Sequence, residues 1–122
     1  MPPQAIDLEE AVIGAMLIDE KGVDEVIEIL IPEVFYKKSH QLIFESIERL
    51  FKNSEPIDLL TVSADLKKSK NLKSVGDEFY LIELSQKVSS SAHIEFHARI
   101  IQQKFIQRKL IQISNEVIPV SY

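Results

Sequence analysis

Apolar residues recur at intervals of three and four along most of this chain, and no stretch shows the sustained alternation of a half-buried strand. This periodicity predicts helices throughout. We expect six of them, spanning about 7–19, 22–30, 39–52, 58–68, 77–88 and 92–117. The predicted fold is therefore all-α, a compact orthogonal bundle of about six helices that ends in a long helix.

The first helix carries the most detailed signals. Pro2 and Pro3 keep the chain extended, and Asp7 is expected to cap the first turn with Glu10 bonding back to it. Gly14 costs about 1 kcal/mol relative to alanine inside a helix, so we interpret it as the close approach of a neighbouring helix. The main apolar stripe of this helix comprises Leu8, Ala11, Val12, Ala15 and Met16.

The third and fourth helices have similar signals. Ser39 is expected to cap the third helix, and Asp58 is expected to cap the fourth. His40 lies on the apolar stripe of the third helix, where a buried, hydrogen-bonded structural histidine is the favoured interpretation. The other members of that stripe are Ile43, Phe44, Ile47, Leu50 and Phe51.

The last helix carries two apolar seams that are displaced by one position. The first comprises Ile94, Ala98, Ile101 and Phe105, and the second comprises Ile106, Leu110, Ile113 and Val117. Some twenty-five residues span roughly 38 Å, whereas a body of about ninety residues has a radius of gyration of roughly 12 Å. We therefore expect the helix to overhang a globular region, 1–91, with residues 92–122 as a separate long helix.

Apolar side chains on such an overhang are expected to be buried by another chain or by further residues of the same protein. We predict that self-association uses Ile101, Phe105, Ile106, Leu110 and Ile113. Replacing Phe105 and Leu110 with Asp is expected to abolish self-association while the body stays folded.

Composition narrows the classes of protein. The 122 residues fit one domain, and no apolar run is long enough to span a membrane. There are no cysteines and no signal-peptide pattern, which favours a cytoplasmic protein. The net charge is −5, with the acidic excess in residues 1–60 and a basic excess in residues 61–122.

Signals for catalysis are weak. A phosphate-binding loop needs clustered glycines, and this chain has only Gly14, Gly22 and Gly76. His93 and His97 have the spacing of a zinc pair, but Ile94 stands where zinc hydrolases place glutamate, so a helix-capping role is favoured. We predict no catalytic, cofactor-binding or metal-ligating residue.

Two surface features remain open to interpretation. The segment 67–73 holds four lysines and is interpreted as a solvated loop, with single-stranded DNA binding as the alternative. Phe79 and Tyr80 are adjacent, so one of them is expected to face outward as a contact for a partner. A small helical hydrolase that uses His93 and His97 is a further alternative.

The order of several segments resembles the amino-terminal region of bacterial replicative DNA helicases of the DnaB type. The resemblance covers nearly the whole chain. The matching pieces are 2–4, 8–17, 35–36, 40–47, 55–62, Gly76, 80–81, Leu84, 91–94, 98–101 and 114–117.

This resemblance implies a non-catalytic, all-helical domain whose long helix begins a helical hairpin. Hairpins pair two subunits, and three pairs form a collar on a hexameric ring that docks primase and, in some bacteria, a loader. The resemblance implies that the motor, which uses ATP and Mg²⁺ for 5'-3' unwinding and makes the main contacts with DNA, lies further along the longer chains of that family and is not among these 122 residues. The alternative is a free-standing helical adaptor, such as the helicase-binding domain of a primase.

Overall fold

The computed structural model describes residues 1–88 and 90–117. Within these ranges it contains seven α-helices, a 3-10 turn at Pro32–Val34 and no strand, which confirms the all-α prediction. The helices are α1 Ile6–Ile18, α2 Glu20–Val26, α3 Lys38–Lys52, α4 Leu59–Lys68, α5 Leu72–Val75, α6 Asp77–Gln86 and α7 Ile94–Val117. None of the described helices is long and apolar enough to cross a bilayer.

The short helix α5 was not predicted. It occupies the segment that was interpreted as a basic loop, and it ends at Gly76, whose φ of 105° is the left-handed conformation that favours glycine. Four residues are too few to show helical periodicity, so the apolar pattern carries no signal for α5.

The helix starts were predicted with mixed success. Asp58 caps α4 as expected, and Thr61 completes a reciprocal capping box. The other two predicted caps are wrong. Asp7 lies inside α1, because the Ala5 carbonyl already accepts the first helical bond, and Ser39 lies inside α3, which begins at Lys38.

Helix α1 is the centre of the bundle, since it contacts α2, α3, α4, α6 and α7. Its buried residues are Glu9, Val12, Ile13, Gly14, Ala15, Met16 and Leu17. A Cβ at Gly14 would collide with the backbone carbonyl of Leu84 in α6. The interpretation of Gly14 as a close helix approach is therefore confirmed.

A buried carboxylate crosslinks this centre to the start of α3. Glu9 is 1% exposed and accepts hydrogen bonds from the backbone amides of Tyr36 at 2.6 Å and Lys37 at 3.3 Å. His40 is fully buried, and its Nδ1 lies 2.7 Å from the Glu9 carboxylate. Because an ionised carboxylate only accepts, Nδ1 carries the proton and donates it. The structural interpretation of His40 is confirmed.

The same histidine extends the network to α6. The His40 Nε2 atom lies 2.6 Å from the Tyr80 hydroxyl, and Lys37 Nζ donates to that hydroxyl at 3.1 Å. In the neutral tautomer with its proton on Nδ1, Nε2 accepts a hydrogen bond from the Tyr80 hydroxyl. Each polar group in this chain of bonds is satisfied, so the buried charge is tolerated and three helices are held in register.

A second crosslink joins α3 to α4. The Arg49 guanidinium donates to the Asp65 carboxylate at 2.6 and 3.1 Å. Burial alone would raise the pKa of Asp65, but the hydrogen bonds and charge of Arg49 lower it below its ordinary value. A carboxyl with a lowered folded-state pKa stabilises the fold above its unfolded pKa. That contribution is lost as the pH falls through the folded-state value.

We expect Glu9→Leu to destabilise the domain by about 3–5 kcal/mol, since it leaves His40 and two backbone amides without their acceptor. Tyr80→Phe removes only the hydroxyl and should cost about 1 kcal/mol. Urea unfolding followed by circular dichroism measures both values. A loss below about 1 kcal/mol for Glu9→Leu would contradict a central role for this carboxylate.

Candidate interaction surface on the last helix

Helix α7 has two parts with different surroundings. In the first part, Ile94, Ala98 and Ile101 are at most 2% exposed and belong to the same core as α1 and α2. From Lys109 to Glu116 every side chain is exposed. The overhang expected from helix length is therefore present, and residues 109–117 extend it by about 13 Å.

The exposed part carries one apolar stripe, which we call the distal stripe: Ile106, Leu110 and Ile113. These side chains are 43%, 60% and 52% exposed and are spaced by four and three residues, so they share one face of the helix. Of the five residues expected in the self-association seam, these three are exposed. Ile101 is 1% exposed in the core and Phe105 is packed against it.

The one-position shift between the two seams explains this division. The seam through Ile94 and Ile101 faces the body, and the distal stripe faces about 100–140° away from it at 100° per residue. Sequence periodicity finds both seams, but it cannot tell which of them a chain uses for its own core.

Arg108 fixes the direction in which the helix projects. Its guanidinium donates to the carbonyl of Pro3 at 2.8 Å and to the carbonyl of Val34 at 2.9 Å. It also lies 5.3 Å from the centre of the Tyr36 ring, within range of a cation–π contact. One side chain therefore joins the amino-terminal arm, the 3-10 turn and α7.

Sequence reasoning missed Arg108 because a charged residue on a long helix is ordinarily a solvated one. Its partners are backbone carbonyls 74 and 105 residues away in the chain. Carbonyls carry no sequence signature, so no local pattern could have identified them.

The segment that leads into α7 is also hydrogen-bonded to the body of the domain. The Ser91 hydroxyl donates to the Asp19 carboxylate at 2.7 Å, and Asp19 also caps α2 by accepting from the Lys21 amide. The Ser91 bond is the largest cause that lowers the pKa of Asp19, and the Lys21 amide adds to it. Further along α7, Gln102 donates to the carbonyl of Ile29 at 3.3 Å.

The other candidate residues are scattered. The rings of His93 and His97 are 6.3 Å apart, and no group of three His, Cys, Asp or Glu side chains suited to a metal ion occurs in residues 1–88 and 90–117. Gly14 and Gly22 lie inside helices and Gly76 joins α5 to α6, so these glycines do not fit a phosphate-binding loop.

The adjacent aromatics separate as expected. Phe79 is 84% exposed, whereas the Tyr80 hydroxyl is part of the buried network around His40. The prediction that one of the two faces outward is confirmed. The predictions for the Val117 side chain and for residues 118–122 lie outside the described part of the chain.

Comparison with known sequences gives a consistent result. The family model described as "DnaB-like helicase N terminal domain" matches residues 1–103. The chain is 47% identical over 110 residues to the replicative DNA helicase DnaB of Rhodothermus marinus, covering 90% of this chain and 12% of that protein. It is 41% identical over 117 residues to that of Geobacillus stearothermophilus, covering 96% and 26%. The chain thus spans between 12% and 26% of the length of these curated relatives.

Solved structures agree in fold. The crystal structure of the N-terminal domain of DnaB helicase from Mycobacterium tuberculosis superposes with a TM-score of 0.95 at 32% identity, covering all of this chain and 85% of that one. The N-terminal domain of the Helicobacter pylori helicase, studied with its interactions with primase, gives 0.78 at 25% identity, covering 94% and 89%. A DnaB-like replicative helicase, also studied with primase, gives 0.82 at 26%, covering 94% and 26%.

We expect Arg108→Ala to lower the free energy of unfolding by about 1–2 kcal/mol, because two charge-assisted hydrogen bonds are lost from a partly exposed site. The stability of Arg108→Lys should lie between those of the unmodified chain and Arg108→Ala, because lysine keeps the charge but lacks the planar fork that reaches both carbonyls. Urea unfolding gives the energies, and heteronuclear NMR relaxation of the Gln4 and Ala5 amides should report a more mobile arm.

Arg99 provides the matched control on the same helix. Its pair with Glu95 is more than half exposed on both sides, so Arg99→Ala should change stability by less than about 0.5 kcal/mol. Equal effects of Arg99→Ala and Arg108→Ala would contradict a stabilising role for the two Arg108 hydrogen bonds.

Proposed function

Because this chain belongs to the DnaB-like helicase N-terminal domain family, we propose that it pairs the subunits of a replicative DNA helicase and docks primase on that assembly. The matched region is the non-catalytic amino-terminal part of such helicases. The observation that carries the pairing proposal is the distal stripe, which projects from a body that does not cover it.

The chemistry of the distal stripe suits a helix-to-helix contact. Burying one fully exposed leucine or isoleucine contributes about 1.5–3 kcal/mol, and these side chains are about half exposed. Three residues from each of two copies therefore supply about 5–9 kcal/mol, which is comparable with the lower part of the cost of association. Gln103, Gln107 and Ser114 flank the stripe and are uncharged, so two copies can meet without repulsion along this edge. A symmetric pair uses the same patch on both subunits, which a self-complementary apolar stripe satisfies.

We place the boundary between body and pairing arm near Phe105 rather than at residue 92. The first part of α7 shares the body's core, so residues 1–105 act as one folded unit. In the proposed assembly the arm is the first helix of a hairpin, pairs of hairpins form the collar of a hexamer, and a loader is a further partner. We assign the protein to the cytoplasm, where replication takes place.

Primase is the proposed external partner. Two similar proteins of known structure are described together with their interactions with primase, and the fold is shared over 94% of this chain in both. ATP and Mg²⁺ are assigned to the motor domain of full-length relatives. The described residues here provide no phosphate-binding loop or metal cluster on which a catalytic step could be built.

The pairing proposal predicts that Leu110→Asp combined with Ile113→Asp converts a self-associating chain into a monomer. Both side chains are more than half exposed, so the body should unfold at an unchanged urea concentration. Light scattering at increasing protein concentration measures the mass. Phe105 is left intact, because it packs on the core and its replacement would confound stability with association.

Gln112→Asp combined with Asn115→Asp is the control, since it adds equal charge on the side of α7 away from the distal stripe. It should self-associate like the unmodified chain. If the unmodified chain is monomeric, or if the stripe variant keeps its mass, pairing through this stripe is wrong.

The docking proposal predicts that primase from the same organism binds this chain in isothermal titration calorimetry. Because binding buries apolar surface, the binding enthalpy measured at two temperatures should give a negative heat-capacity change. A helical protein of similar size and charge serves as the control. Absence of binding would overturn the primase assignment without affecting the pairing proposal.

A further inference from the structure

A second apolar surface lies on the elements that the last helix does not touch. Three large apolar side chains are exposed on α4 and α6. Leu60 is 79% exposed, Phe79 is 84% exposed and Ile82 is 37% exposed. Among the described elements, α7 contacts α1, α2 and the 3-10 turn but not α4, α5 or α6. This surface is therefore separate from the distal stripe.

The surface forms a continuous groove, which we call the α4–α6 groove, with two chemically different ends. The apolar end is lined by Leu59, Leu60, Ala64 and Ile82. The basic end is lined by Lys70, Leu72 and Lys73. Lys67 and Glu78 line both ends, which makes the two hollows one feature.

The lysines at the basic end are available for an external partner. In the described part of the chain, Lys67, Lys68, Lys70 and Lys73 form no ion pair with an acidic side chain. They surround the end of α4 and the short helix α5. Four cations held close together repel one another, so an anionic ligand lowers the electrostatic energy of this end.

We propose that the α4–α6 groove binds an acidic, amphipathic peptide segment of another protein. Its apolar side chains pack against Leu60 and Ile82, and its carboxylates lie beside Lys67, Lys70 and Lys73. A helix with anchors at i, i+3 and i+4 fits an apolar groove between two helices. The charge complementarity fixes its direction along the groove.

A single-stranded nucleic acid fits this groove less well. The apolar end is aliphatic, whereas nucleic-acid grooves stack bases on aromatic side chains. The basic end also contains the carboxylates of Asp77 and Glu78, which repel phosphates. A peptide can place a neutral or donor side chain opposite them.

Fluorescence anisotropy with three labelled probes tests the proposal. The first is a fourteen-residue peptide with leucines at helical spacing, glutamates along one flank and glutamines elsewhere. The second has lysine for each glutamate, and the third is oligo(dT). We expect the acidic peptide to bind at least tenfold more tightly than either of the others, with an affinity that falls as salt is raised. Failure of the acidic peptide to bind, or tighter binding by oligo(dT), overturns the proposal.

Paired variants locate the site. Leu60→Gln with Ile82→Gln, and separately Lys67→Glu with Lys73→Glu, should each weaken binding of the acidic peptide at least tenfold. These side chains are largely outside the core, so circular dichroism should be unchanged. Lys21→Glu with Lys104→Glu makes the same charge change on α2 and α7, which do not contact α4, α5 or α6, and should leave binding within twofold.

Wild-type affinity in both groove variants would also overturn the proposal. The result does not depend on subunit pairing, because Leu110→Asp with Ile113→Asp alters α7 alone and should bind the peptide normally. A failure here and a failure of pairing can therefore be told apart.

Discussion

The buried carboxylate of Glu9 is the constraint on which the rest of the structure depends. A charge removed from water must be surrounded by donors, and here the donors come from the backbone before α3 and from His40. These bonds fix the segment around Tyr36, which in turn forms the surface on which Arg108 rests. The direction of the projecting helix is thus set by a polar group in the middle of the bundle.

Within α7, the residues that complete the core differ from the exposed apolar residues that we propose for subunit pairing. The first seam of α7 completes the core through Ile94, Ala98 and Ile101, and the shift by one position rotates the next apolar residues away from the body. Without that shift, the distal residues would continue the line of the core-facing seam. The α4–α6 groove lies on elements that α7 does not contact, so the proposed subunit contact and the proposed peptide contact use separate surfaces.

Much of the fold was predictable because it depends on local chemistry. Helical periodicity, the Asp58 cap and the Gly14 contact are each determined by residues close in sequence or by the absence of a side chain. The caps expected at Asp7 and Ser39 were wrong because a good capping residue competes with the backbone geometry imposed by its neighbours. The four-residue helix α5 is too short for any periodic signal.

The helical class, the excess length of the last helix, the pair of displaced seams and the family resemblance can all be read from the order of residues along the chain. Which seam is buried, which distant carbonyls Arg108 binds, and that Leu60 and Ile82 line one groove became visible only in the folded molecule. The physical reason is that periodicity reports the face of an element, whereas burial and hydrogen bonding depend on which faces meet in space. Those meetings join residues far apart in the chain, and backbone carbonyls and aliphatic surfaces carry no sequence mark of their partners.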